Sequence, residues 1–265
     1  ELVMKFLGNG INIEYELFGP EDAPTVVVSH SLGSSQIMWA PQLPPLALSF
    51  QVLCYDTRGH GKTDAPKGEY TLDMLGDDAM ALMDGLGLSE VHWAGLSMGG
   101  MIGQNIALRE PGRFKSLSLC DTSSQIPPEG KAAWEERITA ASEQGMEPLA
   151  EATMERWFTA PYLSGKPSSV NAIRQQFLET EPAGFIGCCH AIKSLDYLDQ
   201  LQNIDIPTII IVGADDTGTP VSASKAMKER IPNSQLVVLE QAAHLSNIEQ
   251  TEAFNAALIG FLDRQ

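Results

Sequence analysis

Short, almost unbroken apolar segments recur along the chain and predict strands that are buried on both faces. They fall at residues 25–29, 51–55, 91–94, 115–120, 208–212 and 235–239. A strand that is apolar at every position, rather than at every second one, is typical of a parallel sheet covered by helices on both sides. Two further segments, 3–7 and 11–18, flank Asn9-Gly10 and predict a hairpin, because these residues tolerate the positive φ of a tight turn.

Apolar residues spaced three and four positions apart predict helices between the strands. After Thr71, with Asp73 suited to the first turn, the clearest pattern consists of Leu72, Leu75, Ala79, Leu82, Met83 and Leu86. Residues 98–109 predict another helix, which ends before Pro111-Gly112. Residues 248–262 predict an amphipathic final helix.

The alternation of strands and helices stops between residues 122 and 200. This stretch has helical patterns and several prolines but no segment typical of a strand. We therefore predict an α/β fold in which a mostly parallel central sheet is flanked by helices, with a helical cap inserted before the last two strands. Residues 1–121 and 201–265 would form the core, and residues 122–200 the cap.

Composition and charge narrow the functional class. The 265 residues include 17 Lys and Arg against 34 Asp and Glu, which gives a net charge of −17. Such an acidic chain is unsuited to DNA, RNA or an anionic membrane, because clustered cations bind those surfaces. No apolar run approaches the roughly 18 residues of a membrane-spanning helix, and no leader pattern opens the sequence. We expect a cytoplasmic protein whose partner is a small molecule.

The four cysteines predict structural thiols rather than a disulfide framework or a metal site. Cys54 and Cys120 lie inside predicted buried strands, and free cysteine is among the most buried residue types. Cys188, Cys189 and His190 are consecutive, and adjacent cysteines span the ligand sphere of a metal poorly. We expect neither a metal nor an organic cofactor.

The strongest chemical motif is Gly95-Leu96-Ser97-Met98-Gly99. It directly follows a predicted strand and opens a predicted helix, which is the context of a nucleophile elbow. That sharp turn exposes the serine hydroxyl at the carboxyl end of the sheet, and the flanking glycines avoid backbone clashes. Ser97 is therefore the candidate nucleophile.

A serine nucleophile needs a base, and the base needs an orienting acid. His244 lies between the last predicted strand and the last predicted helix, where it can serve as the base. Asp215 and Asp216 both follow the preceding strand. We favour Asp216 because of its spacing from Gly213 and Pro220, with Asp215 as the alternative.

Two backbone N–H groups are expected to stabilise the negative oxygen of an acyl-transfer intermediate. Met98, the residue after the nucleophile, should provide one of them. Leu32, in the loop after the first buried strand, should provide the other. His30 in the same loop, and the turn at residues 56–61, are expected to brace this region rather than to react.

These motifs together resemble the α/β-hydrolase superfamily, in which serine, acid and histidine follow one another in this chain order. More narrowly, the sequence resembles the 3-oxoadipate enol-lactonases of aromatic catabolism (the β-ketoadipate pathway), and the likeness covers nearly the whole chain. It is carried by HSLG at 30–33, YDTRGHG at 55–61, GLSMGG at 95–100, RWFT at 156–159, CCHAI at 188–192 and AAHLSNIE at 242–249.

One position departs from the enol-lactonase pattern. Gln125 stands where those enzymes tend to carry a basic residue, and their substrate has a free acetate arm that favours a positive partner. Basic residues of the predicted cap could take over this role; the candidates are Arg137, Arg156, Arg174 and Lys193.

The leading hypothesis is a serine hydrolase that opens a small lactone such as 3-oxoadipate enol-lactone through an acyl-serine intermediate. Trp134 and Trp157, in the predicted cap, are candidate walls of the substrate pocket. A short-chain carboxylesterase, an acyl-homoserine lactonase and a perhydrolase are alternatives, because one fold hosts many substrates. A non-catalytic ligand receptor of the same fold is a more remote alternative.

Overall fold

The computed structural model describes residues 4–265, so residue 3 of the predicted hairpin lies outside the described residues. These residues form one eight-stranded sheet. Its strands are β1 (Met4–Gly8), β2 (Ile11–Phe18), β3 (Thr25–Ser29), β4 (Gln51–Tyr55), β5 (Val91–Leu96), β6 (Phe114–Cys120), β7 (Thr208–Gly213) and β8 (Ser234–Leu239). The spatial order is β1-β2-β4-β3-β5-β6-β7-β8. The first two pairings are antiparallel and all others are parallel, which confirms the predicted mostly parallel sheet.

Helices connect and cover the strands. Those before the sixth strand are α1 (Leu43–Leu46), α2 (Leu72–Gly85) and α3 (Met98–Arg109). Between β6 and β7 lie α4 (Lys131–Gln144), α5 (Glu147–Trp157), α6 (Ala160–Ser164), α7 (Ser168–Glu179) and α8 (Pro182–Lys193). After β7 come α9 (Val221–Arg230), α10 (Ser246–Glu249) and α11 (Thr251–Leu262). In the described part of the chain, no helix is both long enough and apolar enough to cross a membrane.

Burial along the strands follows the predicted pattern. Every residue of β3, β5 and β7 is buried, because helices cover both faces of the sheet centre. The edge strand β1 is only partly buried and alternates, and edge strand β8 is largely half-exposed. The hairpin turn is also confirmed, with φ of 49° at Asn9 and 79° at Gly10.

The prediction of one continuous final helix is wrong. Gln250 leaves the helical region, at φ −123° and ψ 55°, and separates α10 from α11. The physical reason is that α10 is held from outside the helix. The Leu245 amide, just before it, donates to the carbonyl of Trp157, and the Glu249 carboxylate accepts from the Thr159 amide. These contacts hold both ends of α10 against residues 157 and 159.

The five helices α4–α8 lie within residues 131–193, inside the predicted cap, and four of them pack together. Helix α4 contacts α5 and α8, and α5 contacts α7. Residues 122–200 contribute no strand to the sheet and only an isolated bridge between Gln125 and Asp196. The predicted boundary at residue 200 falls inside a 3-10 helix, Leu198–Asn203, which packs against α3 and α9.

Glycines bring helix α8 against the core. A Cβ on Gly59, whose φ is 82°, would lie 2.4 Å from the Cα of Gly184. A Cβ on Gly184 would in turn lie 2.1 Å from the Gly59 carbonyl oxygen. The Tyr70 amide donates to the carbonyl of Gly187, one turn further along α8, at 3.2 Å. Helix α8 is therefore seated on the turn after β4 with no space for a side chain between them.

Candidate active site

The turn between β5 and α3 holds Ser97 in a strained backbone conformation. Its φ is 53° and its ψ is −114°, and such conformations cost about 1–3 kcal/mol each. The two flanking glycines are required by contact distances. A Cβ on Gly95 would lie 2.1 Å from the Gly99 carbonyl oxygen, and a Cβ on Gly99 would lie 2.1 Å from the Ser29 carbonyl oxygen. The geometry is that of a nucleophile elbow.

Hydrogen bonds fix this turn from the neighbouring strand. The Ser97 amide donates to the Cys120 carbonyl at 2.9 Å, and the Thr122 hydroxyl donates to the Ser97 carbonyl at 2.6 Å. Ser97 is 8% exposed and lines an internal cavity. The serine is thus presented to the cavity by a rigid backbone.

Asp216, rather than Asp215, contacts His244. Its Oδ2 lies 2.8 Å from Nδ1 of the imidazole. The same carboxylate accepts from the Gly218 amide at 2.9 Å and from the Thr219 amide at 3.0 Å. Asp215 is exposed and lines an open surface groove instead. Asp216 bonds to Nδ1 of His244, and among residues 4–265 no group bonds to Nε2. His244 lines the same cavity as Ser97.

The acid and the imidazole shift each other's pKa. Burial lowers the pKa of His244, but the charge of Asp216 and its hydrogen bond outweigh burial, so that the pKa is raised overall. Burial raises the pKa of Asp216, whereas the His244 charge and hydrogen bond hold it below its usual value. The pair is therefore suited to hold a proton on the imidazole and a charge on the carboxylate.

The two expected oxyanion donors are free to bind a ligand. Within residues 4–265, neither the Leu32 amide nor the Met98 amide donates a hydrogen bond to another protein group. Met98 is the first residue of α3, where the N–H has no intrahelical acceptor. Leu32 lines the cavity beside Ser97.

Two buried histidines brace the loop that carries Leu32. Nε2 of His30 accepts from the Thr57 amide at 2.9 Å, and Nε2 of His60 accepts from the Gly33 amide at 2.8 Å. Burial lowers the pKa of His30 to about 4 and that of His60 to about 3, so both rings are neutral and can accept. Their contacts agree with the bracing role expected for His30 and for the turn at 56–61.

The cavity has a volume of about 150 Å³ and lies between the sheet and the helices inserted after β6. Both predicted pocket residues, Trp134 and Trp157, line it. Trp157 lies beside His244, with 6.5 Å between the ring centroids. The sequence did not single out the other apolar lining residues, which are Met101, Ile126, Phe177, Phe185 and Ile192.

Two of the four candidate cations reach the cavity without an acidic partner. Arg137 lies over the Trp134 ring at 4.4 Å, and Arg156 donates to the Thr153 hydroxyl at 3.1 Å. Both line the cavity, and within residues 4–265 neither guanidinium is paired with a carboxylate. Burial lowers the pKa of both groups, and the charge of Arg137 lowers that of Arg156 further.

The other two candidate cations, Arg174 and Lys193, are already paired with carboxylates. Arg174 donates to Glu151 at 2.7 Å, and Lys193 is paired with Glu135. Gln125, at the departure from the enol-lactonase pattern, donates to the Asp196 carboxylate at 2.9 Å and does not line the cavity. The positive charge of the cavity thus comes from α4 and α5.

The sequence reasoning missed Asp121, a third carboxyl group near the acid and the base. It follows β6 directly, is fully buried and accepts a hydrogen bond from Ser246. Its only sequence signal is an acidic residue at the end of a buried strand, on the same sheet edge as Ser97. That signal is shared by many turns.

The cysteines are free and buried, as predicted. Cys188 donates to the Arg58 carbonyl, and burial raises the pKa of the Cys188 and Cys189 thiols. Within residues 4–265, no group of three or more His, Cys, Asp or Glu side chains is placed to hold a metal ion.

Comparison with known proteins gives one family. Residues 24–251 match the family model described as the alpha/beta hydrolase fold. A 3-oxoadipate enol-lactonase of Acinetobacter baylyi is 38% identical over 96% of this chain and 94% of its own. The enol-lactonase of Burkholderia xenovorans superposes with a TM-score of 0.95 at 37% identity, over 98% of this chain and 100% of that one. A thermophilic esterase of Thermogutta terrifontis, solved with malate bound, has a TM-score of 0.93 at 28% identity, covering 100% and 99% of the two chains. The chain therefore belongs to the α/β-hydrolase family and is a hydrolase.

Proposed function

We propose that this hydrolase opens a small lactone that carries a carboxylate, such as 3-oxoadipate enol-lactone, through an acyl-serine intermediate. The observation that carries the proposal is the charge distribution of one cavity. Ser97 and His244 line it. The guanidinium groups of Arg137 and Arg156, which have no carboxylate partner within residues 4–265, line it from the inserted helices. An anionic lactone can then place its carbonyl at the serine and its carboxylate at an arginine.

In the first half of the reaction, Ser97 Oγ attacks the lactone carbonyl while Nε2 of His244 accepts the hydroxyl proton. Asp216 holds the imidazole by Nδ1 and stabilises the imidazolium. The Leu32 and Met98 amides donate to the negative oxygen of the tetrahedral intermediate. The ring C–O bond then breaks, His244 returns the proton to the leaving oxygen, and the acyl chain remains on Ser97.

In the second half, water attacks the acyl-serine. His244 accepts a proton from the water and later returns it to Ser97 Oγ, so one water molecule is consumed per ring opened. When the ring oxygen belongs to an enol ester, it departs as an enol and tautomerises to a ketone. Ring opening is then difficult to reverse.

The charges support an anionic substrate over a neutral one. Partly buried guanidinium groups without a carboxylate partner bind an incoming carboxylate strongly, because little water competes for it. The enol-lactonases of Acinetobacter baylyi and Burkholderia xenovorans are similar over nearly their whole lengths. The similar Thermogutta terrifontis esterase was solved with malate, a dicarboxylate.

The test is a comparison of substrates. We expect kcat/KM for 3-oxoadipate enol-lactone to exceed that for p-nitrophenyl acetate and for an N-acyl homoserine lactone by more than about tenfold, since a charge-assisted hydrogen bond contributes about 1.5–3 kcal/mol. A ratio below tenfold would contradict the anionic lactone as substrate. Labelling by a fluorophosphonate, located by mass spectrometry, should modify Ser97, and modification elsewhere would contradict the acyl-serine mechanism.

A further inference from the structure

Asp121 occupies an unusual place at the carboxyl end of β6. It is 0% exposed, and its φ of 42° lies in the left-handed region, which Asp adopts more readily than most residues. Its amide donates to the Ile211 carbonyl at 2.8 Å, which fixes the backbone against β7. The side chain is thereby directed towards the ends of the neighbouring strands.

The two carboxyl oxygens of Asp121 bind the last residue of β7 and the first residue of α10. Oδ1 accepts from the Gly213 amide at 2.8 Å, three residues before Asp216. Oδ2 accepts from the Ser246 hydroxyl at 2.5 Å, two residues after His244. The Asp216 carboxyl also joins these two segments, through its direct bond to Nδ1 of His244.

We propose that Asp121 is a positioning residue for the Asp216–His244 pair. It acts by linking the end of β7, just before the loop of the acid, to the start of α10, just after the loop of the base. The proposal rests on the function proposed above. Burying an ionisable group is unfavourable unless its hydrogen bonds are satisfied. Here the two hydrogen-bond partners of the side chain, Gly213 and Ser246, adjoin the loops that carry Asp216 and His244, and the relative position of those loops must be kept.

The charges around Asp121 agree with this position. Burial raises the pKa of Asp121 well above its usual range, and the charge of Asp216 raises it further, while His244 opposes both. Asp121 in turn helps to raise the pKa of His244, and Arg156 lowers it. The neighbouring Cys120 thiol has its pKa raised by burial and then by Asp121. Asp121 is thus electrostatically close to both members of the pair.

The chemistry of the two hydrogen bonds suggests a discriminating pair of variants. In Asp121→Asn, the amide oxygen can accept from Gly213, and the amide NH2 can donate to the Ser246 oxygen. Asn also tolerates the left-handed backbone. In Asp121→Ala, both ties are lost. A positioning role therefore predicts rescue by Asn and failure of Ala.

The experiment measures kcat and KM for p-nitrophenyl acetate in folded samples, with Asp78→Asn as control. Asp78 is another buried carboxyl, and its oxygens bond to Arg58 and Asn9 rather than to the residues that Asp121 links. We expect Asp121→Ala to lower kcat by about 10–100-fold with KM within about twofold, and Asp121→Asn to retain kcat within about threefold. Asp78→Asn should lower the melting temperature without a comparable loss of kcat.

A second measurement needs no substrate. The Nδ1 proton of His244, bound to Asp216, should give a downfield NMR signal that broadens or shifts in Asp121→Ala and persists in Asp121→Asn.

If Asp121→Ala does not fold, Ser246→Ala removes only one of the two hydrogen bonds and should lower kcat by about 3–10-fold. The proposal is wrong if Asp121→Ala or Ser246→Ala keeps kcat within twofold, or if Asn falls as far as Ala. If the wild type hydrolyses no ester, the proposed function fails, while the histidine signal still tests Asp121.

Discussion

The carboxylate of Asp216 accepts from Nδ1 of His244 at 2.8 Å, whereas its sequence neighbour Asp215 points to an open groove. The difference arises because successive residues of the loop after β7 face opposite sides. Asp216 is 3% exposed and holds the amides of Gly218 and Thr219 as well. The Asp216 carboxylate is thus held by amides of its own loop as well as by the imidazole.

Ser97→Ala should remove the nucleophile and leave the fold intact. We expect kcat to fall by about 10³–10⁶-fold, as in other serine triads. The measurement is steady-state hydrolysis of the enol-lactone and of p-nitrophenyl acetate, with circular dichroism as the control for folding. Retention of more than a tenth of the wild-type rate would exclude Ser97 as the nucleophile.

Asp216→Asn should cost far more activity than Asp215→Asn. Loss of the charge that orients His244 is expected to lower kcat by about 10²–10⁴-fold. The exposed Asp215 is a matched control one residue away, and its variant should stay within about twofold of the wild type. The reverse ranking would transfer the role of acid to Asp215.

The dependence of kcat/KM on pH at the acidic end of the profile should report the protonation of His244. The imidazole acts as a base only when neutral, so kcat/KM rises as the pH rises through its pKa. Because Asp216 and Asp121 raise that pKa more than burial and Arg156 lower it, the rise should be centred above the ordinary value of 6.5. Asp216→Asn removes a negative charge and should move the rise to lower pH. A profile centred at or below the ordinary value in the wild type would contradict this account.

Arg137→Gln and Arg156→Gln should weaken hydrolysis of charged lactones selectively. Each is expected to lower kcat/KM for the enol-lactone by about 10–100-fold, through the loss of a charge-assisted hydrogen bond. Hydrolysis of p-nitrophenyl acetate should change much less. Arg174→Gln, which removes a guanidinium already paired with Glu151, is the matched control. Equal losses on both substrates would show that the arginines support the cavity rather than bind a carboxylate.

Gly59→Ala should destabilise the protein by disturbing the contact between α8 and the turn after β4. The added Cβ would overlap Gly184, and overpacking of this kind costs about 1–3 kcal/mol beyond the strain of a positive φ. Gly87→Ala is the control, because Gly87 also has a positive φ, of 73°, but open space around it. Urea unfolding should show the larger loss for Gly59→Ala. Equal losses would mean that backbone strain alone explains both.

Much of this molecule could be predicted from sequence because its strongest signals are local. Strands apolar at every position predict a sheet covered on both sides, and Gly95 and Gly99 mark a turn that accepts no side chain. The break in the final helix at Gln250 could not be predicted, since it depends on distant hydrogen bonds such as that from Thr159 to Glu249, which are 90 positions apart.

The parts of the candidate site that sequence left open depend on tertiary packing. Four basic residues were equivalent candidates for an anion partner, and only the packing of α4 and α5 directs Arg137 and Arg156 into the cavity. The choice between Asp215 and Asp216 likewise turned on which carboxylate faces inward. Asp121 was missed because an acidic residue after a strand is indistinguishable in sequence from an ordinary turn.

The contact between Gly59 and Gly184 also limits how this scaffold can diverge. When two packed residues differ in size, enlarging one can be offset by shrinking the other. Here both are already glycine, so neither position can compensate for a change at its partner. The distance between α8 and the turn after β4 should therefore stay constant. Changes of substrate specificity must be sought among the side chains that point into the cavity.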